Sequence, residues 1–247
     1  MEEQGEHPGH CPICDKDVAF RKGRHWRDLQ CPSCKSQSRN RALWLALNGA
    51  FPRWRELAID EGSPGWDPVS QRLVRECARY TATQFRDDMT MGSIVEDAPL
   101  PCKRYRVENL ERQGCADGSF DLVVTQDVFE HIFDPRAAIA ETARTLLPGG
   151  GTVLTVPVVR KFAPSQRRAR LAGGAVQHLL PAQYHGNPVS SGGALVTIDW
   201  GYDIAAILGE ASGMQFAMQT FEDPDLGIRD EWNQLLIGRK ALLPSLA

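Results

Sequence analysis

The chain predicts an α/β fold built on a mostly parallel sheet, preceded by a small metal-stapled module. Two observations carry that expectation. Residues 118–157, GSFDLVVTQDVFEHIFDPRAAIAETARTLLPGGGTVLTVP, read as strand, helix, glycine turn and strand. Near the amino terminus, CPIC and CPSC form two CxxC pairs separated by sixteen residues. The first pattern is a βαβ unit, whose strands run parallel through a right-handed crossover. The second is the ligand spacing of a four-cysteine zinc site.

The opening MEEQGEHPGH is acidic and polar, so no secretory signal is expected. Seven cysteines without such a signal point to thiols or metal rather than disulfides, with the cytoplasm as the default compartment. A net charge of -3 gives no global attraction to nucleic acid or to an anionic membrane. No apolar run approaches the ~18 residues a membrane span needs. Residues 1–38 read as a zinc ribbon in which Cys11, Cys14, Cys31 and Cys34 present four thiolates to one tetrahedral ion. A segment this small has little core, so the metal supplies much of its folding free energy. Four cysteines leave no open position for water, which makes the site structural. A redox pair is the rival reading, but neither CxxC lies in a βαβ unit. Between the pairs, Arg21, Lys22, Arg24, His25, Trp26 and Arg27 form a basic patch, either a solvated hairpin or a contact for RNA or an acidic substrate. Cys77, Cys102 and Cys115 are isolated and read as small packing groups.

Residues 39–54 read as a connecting helix, with Ser36 or Ser38 as its cap and Leu43, Trp44 and Leu47 on one face. A first strand is expected at 55–60, then the small-residue loop EGSPG, then a helix capped by Asp67 with Val69, Leu73 and Cys77 on one face. Strand, small loop and helix make a cradle for a nucleotide cofactor. Residues 80–85 read as the second strand and 120–125, FDLVVT, as a buried parallel strand. The helix at 135–147 carries Ile139, Ala143, Leu146 and Leu147 as its stripe, and Pro148 with three glycines stops it before a strand at 152–156. Ligands bind outside the carboxyl ends of such strands, where Thr125, Gln126, Asp127 and Pro157 lie. Periodicity dissolves from 158 to 200, where Arg160, Lys161, Arg167, Arg168 and Arg170 precede His178, Tyr184, His185, Asp199 and Trp200. A segment this long inside a compact domain is usually functional. A helix at 202–212 and strands at 214–221 and 234–239 complete the chain.

FDLVVTQDVFEHI followed by LPGGGTVLTVP resembles the second half of a class I S-adenosylmethionine-dependent methyltransferase with a type 11-like domain. CPSCKSQSRNRALWL is similar to a bacterial group in which a zinc ribbon precedes that domain. The resemblance implies a Rossmann-like sheet over residues 55–247, mostly parallel with the last strand antiparallel, and an acceptor lid at about 158–200. It implies S-adenosyl-L-methionine as cofactor, cradled by Glu61, Gly62, Ser63 and Gly65. Gln84 stands where an acid usually meets the ribose hydroxyls, and Asp87 and Asp88 follow it. Glu108, Asn109 and Leu110 stand at the adenine, and Thr125 and Gln126 at the edge of the following strand. Where an oxygen acceptor needs a base, Asp127, Glu130, His131 and His185 are the candidates, with Glu130 and His131 placed early in the next helix. EGSPG, Gln84 and Asn109 depart from the family pattern. The expected function is methyl transfer to an oxygen or nitrogen of a small-molecule or sugar acceptor. Two alternatives stand beside it: an RNA methyltransferase guided by the ribbon, and a non-catalytic ribbon protein whose domain has lost its cofactor. The absence of GxGxxG sets a dehydrogenase aside.

Overall fold

The structure, a computed structural model, describes residues 5–23, 29–187 and 189–242. Arg24, His25, Trp26 and Arg27 of the basic patch lie outside the described residues. A hairpin of β1 (Glu6–Cys11) and β2 (Lys16–Arg21) opens the chain, followed by α1 (Ser38–Ala50). The domain continues through β3 (Ala58–Gly62), α2 (Pro68–Glu76), β4 (Arg79–Gln84), β5 (Ile94–Val95), β6 (Tyr105–Val107) and β7 (Phe120–Gln126). Next come α3 (Pro135–Thr145) and β8 (Leu146–Thr155). Six short strands follow: β9 (Gln166–Arg167), β10 (Ala169–Ala172), β11 (Ala175–His178), β12 (Tyr184–Asn187), β13 (Ser190–Leu195) and β14 (Ile198–Asp199). The chain ends with α4 (Ile204–Ser212), β15 (Gln215–Thr220) and β16 (Gln234–Arg239).

One eight-stranded sheet, ordered β15-β16-β8-β7-β3-β4-β6-β5, carries the domain. Its centre is parallel, and β16 runs antiparallel to both β8 and β15, as expected. The period-2 alternation of each strand feeds two cores. Ile59, Leu122, Val124, Val153 and Leu235 face α1 and α2, while Val123, Leu154 and Leu236 face α3 and α4. The hairpin is not a detached module. Cys11, Ile13, Phe20, Leu29 and Cys31 join the core that contains Leu43, Leu47, Val69 and Leu73. Arg72 adds a hydrogen bond of 2.5 Å from Nη1 to the Ile13 carbonyl.

Several boundaries differ from the sequence expectation. The first strand begins at Ala58, because fully buried Trp54 packs edge-on against Trp44 and holds Trp54–Glu56 in a 3-10 turn. Gln37, not a serine, caps α1: it and Asn40 form a reciprocal capping box. Ser36 Oγ is turned toward the cysteines instead, and Ser38 Oγ accepts from Arg229 N at 2.7 Å. The proline and glycines at 148–151 do not simply end a helix; they lie within β8. The pairing with β7 slips between Phe120–Leu146 and Leu122–Gly151, the signature of a bulge. Gly151 is required there because a Cβ would run into the Gly238 carbonyl of β16. Glu130 and His131 are in a turn closed by His131 N donating to Val128 O at 2.9 Å, not in a helix. Helix α3 starts only where Asp134 caps it and Pro135 supplies its first residue. The 158–200 segment is not a plain loop: β9 pairs with β14, β10 with β11 and β12 with β13. Among the described residues, no helix is long and apolar enough to cross a membrane.

Candidate active site

Strands β3, β4, β6 and β7 run parallel, so their carboxyl ends share one edge. Three buried polar atoms on adjacent strands have no hydrogen-bond partner there: Asp60 Oδ2, Gln84 Oε1 and Thr125 Oγ1. Their desolvation is offset only if a ligand reaches them. Between them Gly62 leaves a cradle, since a Cβ would come 3.1 Å from Thr125 Cγ2 and 3.7 Å from Leu110. Ser63 then turns the chain with φ 58 while its N–H donates to Thr83 O at 2.7 Å. Asp60 was not among the expected site residues. The signal for it was the paired acids at 60 and 61, which on a strand point to opposite faces.

Glu61 takes the other face. Its carboxylate accepts from Ser70 Oγ at 2.5 Å, Tyr80 OH at 2.7 Å and Gln126 Nε2 at 3.3 Å. Gln126 Oε1 in turn accepts from Asn40 of α1 at 3.3 Å. The side chains of Glu61 and Gln126 therefore tie α1 and α2 to the sheet instead of facing the edge. Glu108 is likewise occupied, by Arg106 Nε at 2.7 Å and by the Gly114 N–H at 2.8 Å. Asn109 Oδ1 accepts from Glu111 N at 2.8 Å and shapes the turn after β6. Gly65 N lies 3.4 Å from Ser70 Oγ at the entry to α2, and Asp88 is held by Arg86. Gly62, Leu110 and Thr125 thus lie together, with Ser63 and Gln84 at the carboxyl ends of β3 and β4 and Asp60 two residues before Gly62.

Burial pushes the Asp60 carboxyl up to about 7 and the Glu61 carboxyl up to about 8. A carboxyl raised in the folded state binds protons more tightly there than in the unfolded chain. The resulting stability is fully present below about pH 4 and is lost as pH rises through about 7 to 8. Thermal unfolding of the cofactor-free, metal-loaded protein between pH 6 and pH 8 should therefore show falling stability, by at most about 1.4 kcal/mol per pH unit per group. Asp60→Asn should flatten that slope; an unchanged slope would place its origin elsewhere.

The acceptor side lies beyond β7. Asp127, at φ 51, pairs with Arg39 Nη1 at 2.7 Å and accepts from Thr155 Oγ1 at 3.0 Å. Its charge is thus already engaged by α1 and β8. The insertion clasps the following turn, with Thr197 N donating to Glu130 O at 2.8 Å and Thr197 Oγ1 to Ile132 O at 2.6 Å. This clasp brings His185, on β12, beside Glu130 and His131. Trp200 is fully buried, Asp199 pairs with Arg168 at 2.7 Å, and His178 and Tyr184 are exposed.

At the amino terminus the four cysteine sulfurs lie within 4.8 Å of one another. Cys11 and Cys34 are 3.7 Å apart and Cys14 and Cys31 3.8 Å. Four sulfurs at ~2.3 Å from one tetrahedral ion are ~3.8 Å apart, so the donor set fits zinc. The hydrogen bond from Cys34 draws the Cys11 thiol down to about 4, and the same contact pushes Cys34 up. Ser36 Oγ touches both sulfurs and accepts from Arg41 Nη1 at 2.8 Å. The fully buried Arg41 guanidinium also reaches the Leu29 and Gly227 carbonyls and stacks over Phe20. Burial lowers its pKa, while the neighbouring cysteines act the other way.

A mostly parallel sheet closed by an antiparallel hairpin is the Rossmann-like fold of solved S-adenosylmethionine-dependent methyltransferases. A solved S-adenosylmethionine-dependent methyltransferase from Mesorhizobium loti shares this fold at a TM-score of 0.52 and 16% identity, over 81% of this chain and 98% of that one. Residues 62–154 match the family model described as a methyltransferase domain. Among curated proteins, an uncharacterized 37.1 kDa protein in transposon TN4556 of Streptomyces fradiae is 29% identical over 115 residues, 46% of this chain and 33% of that protein. The chain therefore spans a third of that relative's length. The ubiquinone biosynthesis O-methyltransferase of Xanthomonas campestris pv. campestris is 26% identical over 175 residues, 69% of this chain and 70% of that protein.

Proposed function

We propose that this protein transfers the methyl group of S-adenosylmethionine to an oxygen or nitrogen of a small-molecule acceptor seated beneath the 158–200 insertion. The observation that carries this reading is the set of unpartnered polar atoms on Asp60, Gln84 and Thr125 of three neighbouring strands, beside a Gly62 cradle lined by Thr125 and Leu110. These residues, with Ser63 and Leu110, would hold the cofactor. The cofactor supplies a methyl already activated on a sulfonium. What the chain must do is align the acceptor with that methyl and keep water out. In this reading the Arg39–Asp127 pair and the adjacent rings of His131 and His185 would border the acceptor, whose proton must leave. The named O-methyltransferase relative favours oxygen as the accepting atom. In the same reading a structural zinc ion joins Cys11, Cys14, Cys31 and Cys34.

Calorimetric titration of the zinc-loaded protein with S-adenosylmethionine, S-adenosylhomocysteine and NADH tests the proposal. Micromolar binding of both sulfur ligands, with none of NADH, is the expected result. A folded sample that binds neither sulfur ligand would leave a non-catalytic ribbon protein.

A further inference from the structure

Glu130 is 1% exposed, and neither carboxylate oxygen has a hydrogen-bond partner. A buried carboxylate without a donor persists only if a cation offsets it. Two imidazoles face its Oε1: His131 Nε2 at 3.6 Å and His185 Nδ1 at 3.7 Å. The rings stand perpendicular, with centroids 5.1 Å apart. His131 Nδ1 lies 2.9 Å from the Leu195 carbonyl, which only accepts, so that nitrogen carries the proton. Its Nε2 therefore turns a lone pair toward the carboxylate. His185 Nε2 lies 3.4 Å from the Gln183 side-chain amide, so Nδ1 is its inward nitrogen. Separations of 3.6 and 3.7 Å are too long for hydrogen bonds. They are close to the roughly 3.0–3.4 Å that separates neighbouring donors, each ~2.1 Å from one shared ion.

We propose that Glu130, His131 and His185 form a second metal site, distinct from the four cysteines, that holds a divalent first-row transition ion against the acceptor. Two imidazoles favour iron, cobalt or zinc over magnesium and calcium, which prefer oxygen, and the carboxylate beside them admits manganese. The Leu195 carbonyl serves the function common for a ligating histidine, fixing its tautomer and orientation from behind. Three protein ligands leave open positions, unlike the closed cysteine site. An acceptor hydroxyl takes one of them, and a neighbouring oxygen on the same acceptor takes another, which points to a vicinal diol or catechol-like substrate. Coordination lowers the hydroxyl pKa and its proton leaves to solvent. The oxygen lone pair then forms the new O–C bond as the S–C bond of the sulfonium breaks, giving a methyl ether and a neutral thioether. The acceptor step rests on the proposed methyltransferase function; the metal site itself does not.

Manganese is the probe, because it binds thiolates poorly and leaves the zinc-loaded ribbon undisturbed. Titration of zinc-loaded protein with Mn2+, followed by electron paramagnetic resonance, should show one ion per chain at micromolar affinity. His185→Gln and Glu130→Gln should each weaken binding at least tenfold, with zinc content unchanged. His185 sits on a partly exposed hairpin, so His185→Gln decides the matter if loss of Glu130 prevents folding. No Mn2+ bound at millimolar concentration, or equal affinity in His185→Gln, overturns the site. Mn2+ binding without S-adenosylmethionine binding leaves the metal site standing and removes the methyltransferase reading. The reverse removes the metal site alone.

Discussion

At the proposed zinc site, replacing Cys31 with serine should abolish metal binding and loosen much more than the amino-terminal hairpin. The β1–β2 hairpin has no core of its own: Phe20, Leu29 and Ile13 are buried only because they pack with α1 and α2. Arg41, fully buried, is anchored to carbonyls at Leu29, Ser36 and Gly227, and its charge balances that of the thiolates. Structural zinc itself contributes on the order of 10 kcal/mol to folding of such modules. Part of that is recovered by the larger core, so the expected fall in melting temperature is on the order of 10 °C. Helix α1 also delivers Arg39 to Asp127 and Asn40 to Gln126, so cofactor affinity should drop with it. Zinc content by atomic absorption and a melting curve check this together. A variant that loses zinc yet melts within about 2 °C of the parent would show that the metal does not staple the domain.

Gly62→Val should abolish cofactor binding with a much smaller effect on folding. Gly62 ends β3 with an ordinary negative φ, so valine suits the backbone, and the added side chain is what matters. Its Cβ would already press on Thr125 Cγ2 at 3.1 Å, and two further methyl groups would fill the space among Thr125, Leu110 and the orphaned oxygens. Overpacking of this kind costs about 1–3 kcal/mol of stability. Affinity for S-adenosylhomocysteine should fall at least a hundredfold, about 2.7 kcal/mol, measured by calorimetry. An affinity within threefold of the parent would mean that the ligand does not use this edge.

Some of this architecture was legible before any coordinates. The CxxC spacing brought four thiols together because a short hairpin has few ways to close, so local sequence constrains the geometry. The strand beginning at Phe120, the cap at Asp67 and the final strand at 234–239 follow from side-chain period and local hydrogen bonding alone. The parallel pairing of β7 with β8 follows from the βαβ pattern. What the sequence could not assign was the partner of each polar residue. Asp60 and Glu61 are neighbours of nearly equal chemistry, yet strand alternation sends one to the ligand edge and the other into a helix-bridging network. Gln126 looked like an edge residue and instead bonds Asn40, far back in the chain.

The sequence by itself determined the main strands and helices of the large sheet, that four cysteines meet, and which family pattern the chain resembles. Those properties depend on interactions among residues near one another in the chain. Only the tertiary structure decided that the ribbon shares the domain's core, that the PGGG stretch bulges within a strand, and that His185 stands beside Glu130 and His131. Each of these depends on long-range packing between segments whose separation no local pattern encodes. The candidate site is of that kind: its residues are ordinary one by one, and its chemistry arises where the insertion folds back over the carboxyl edge of the sheet.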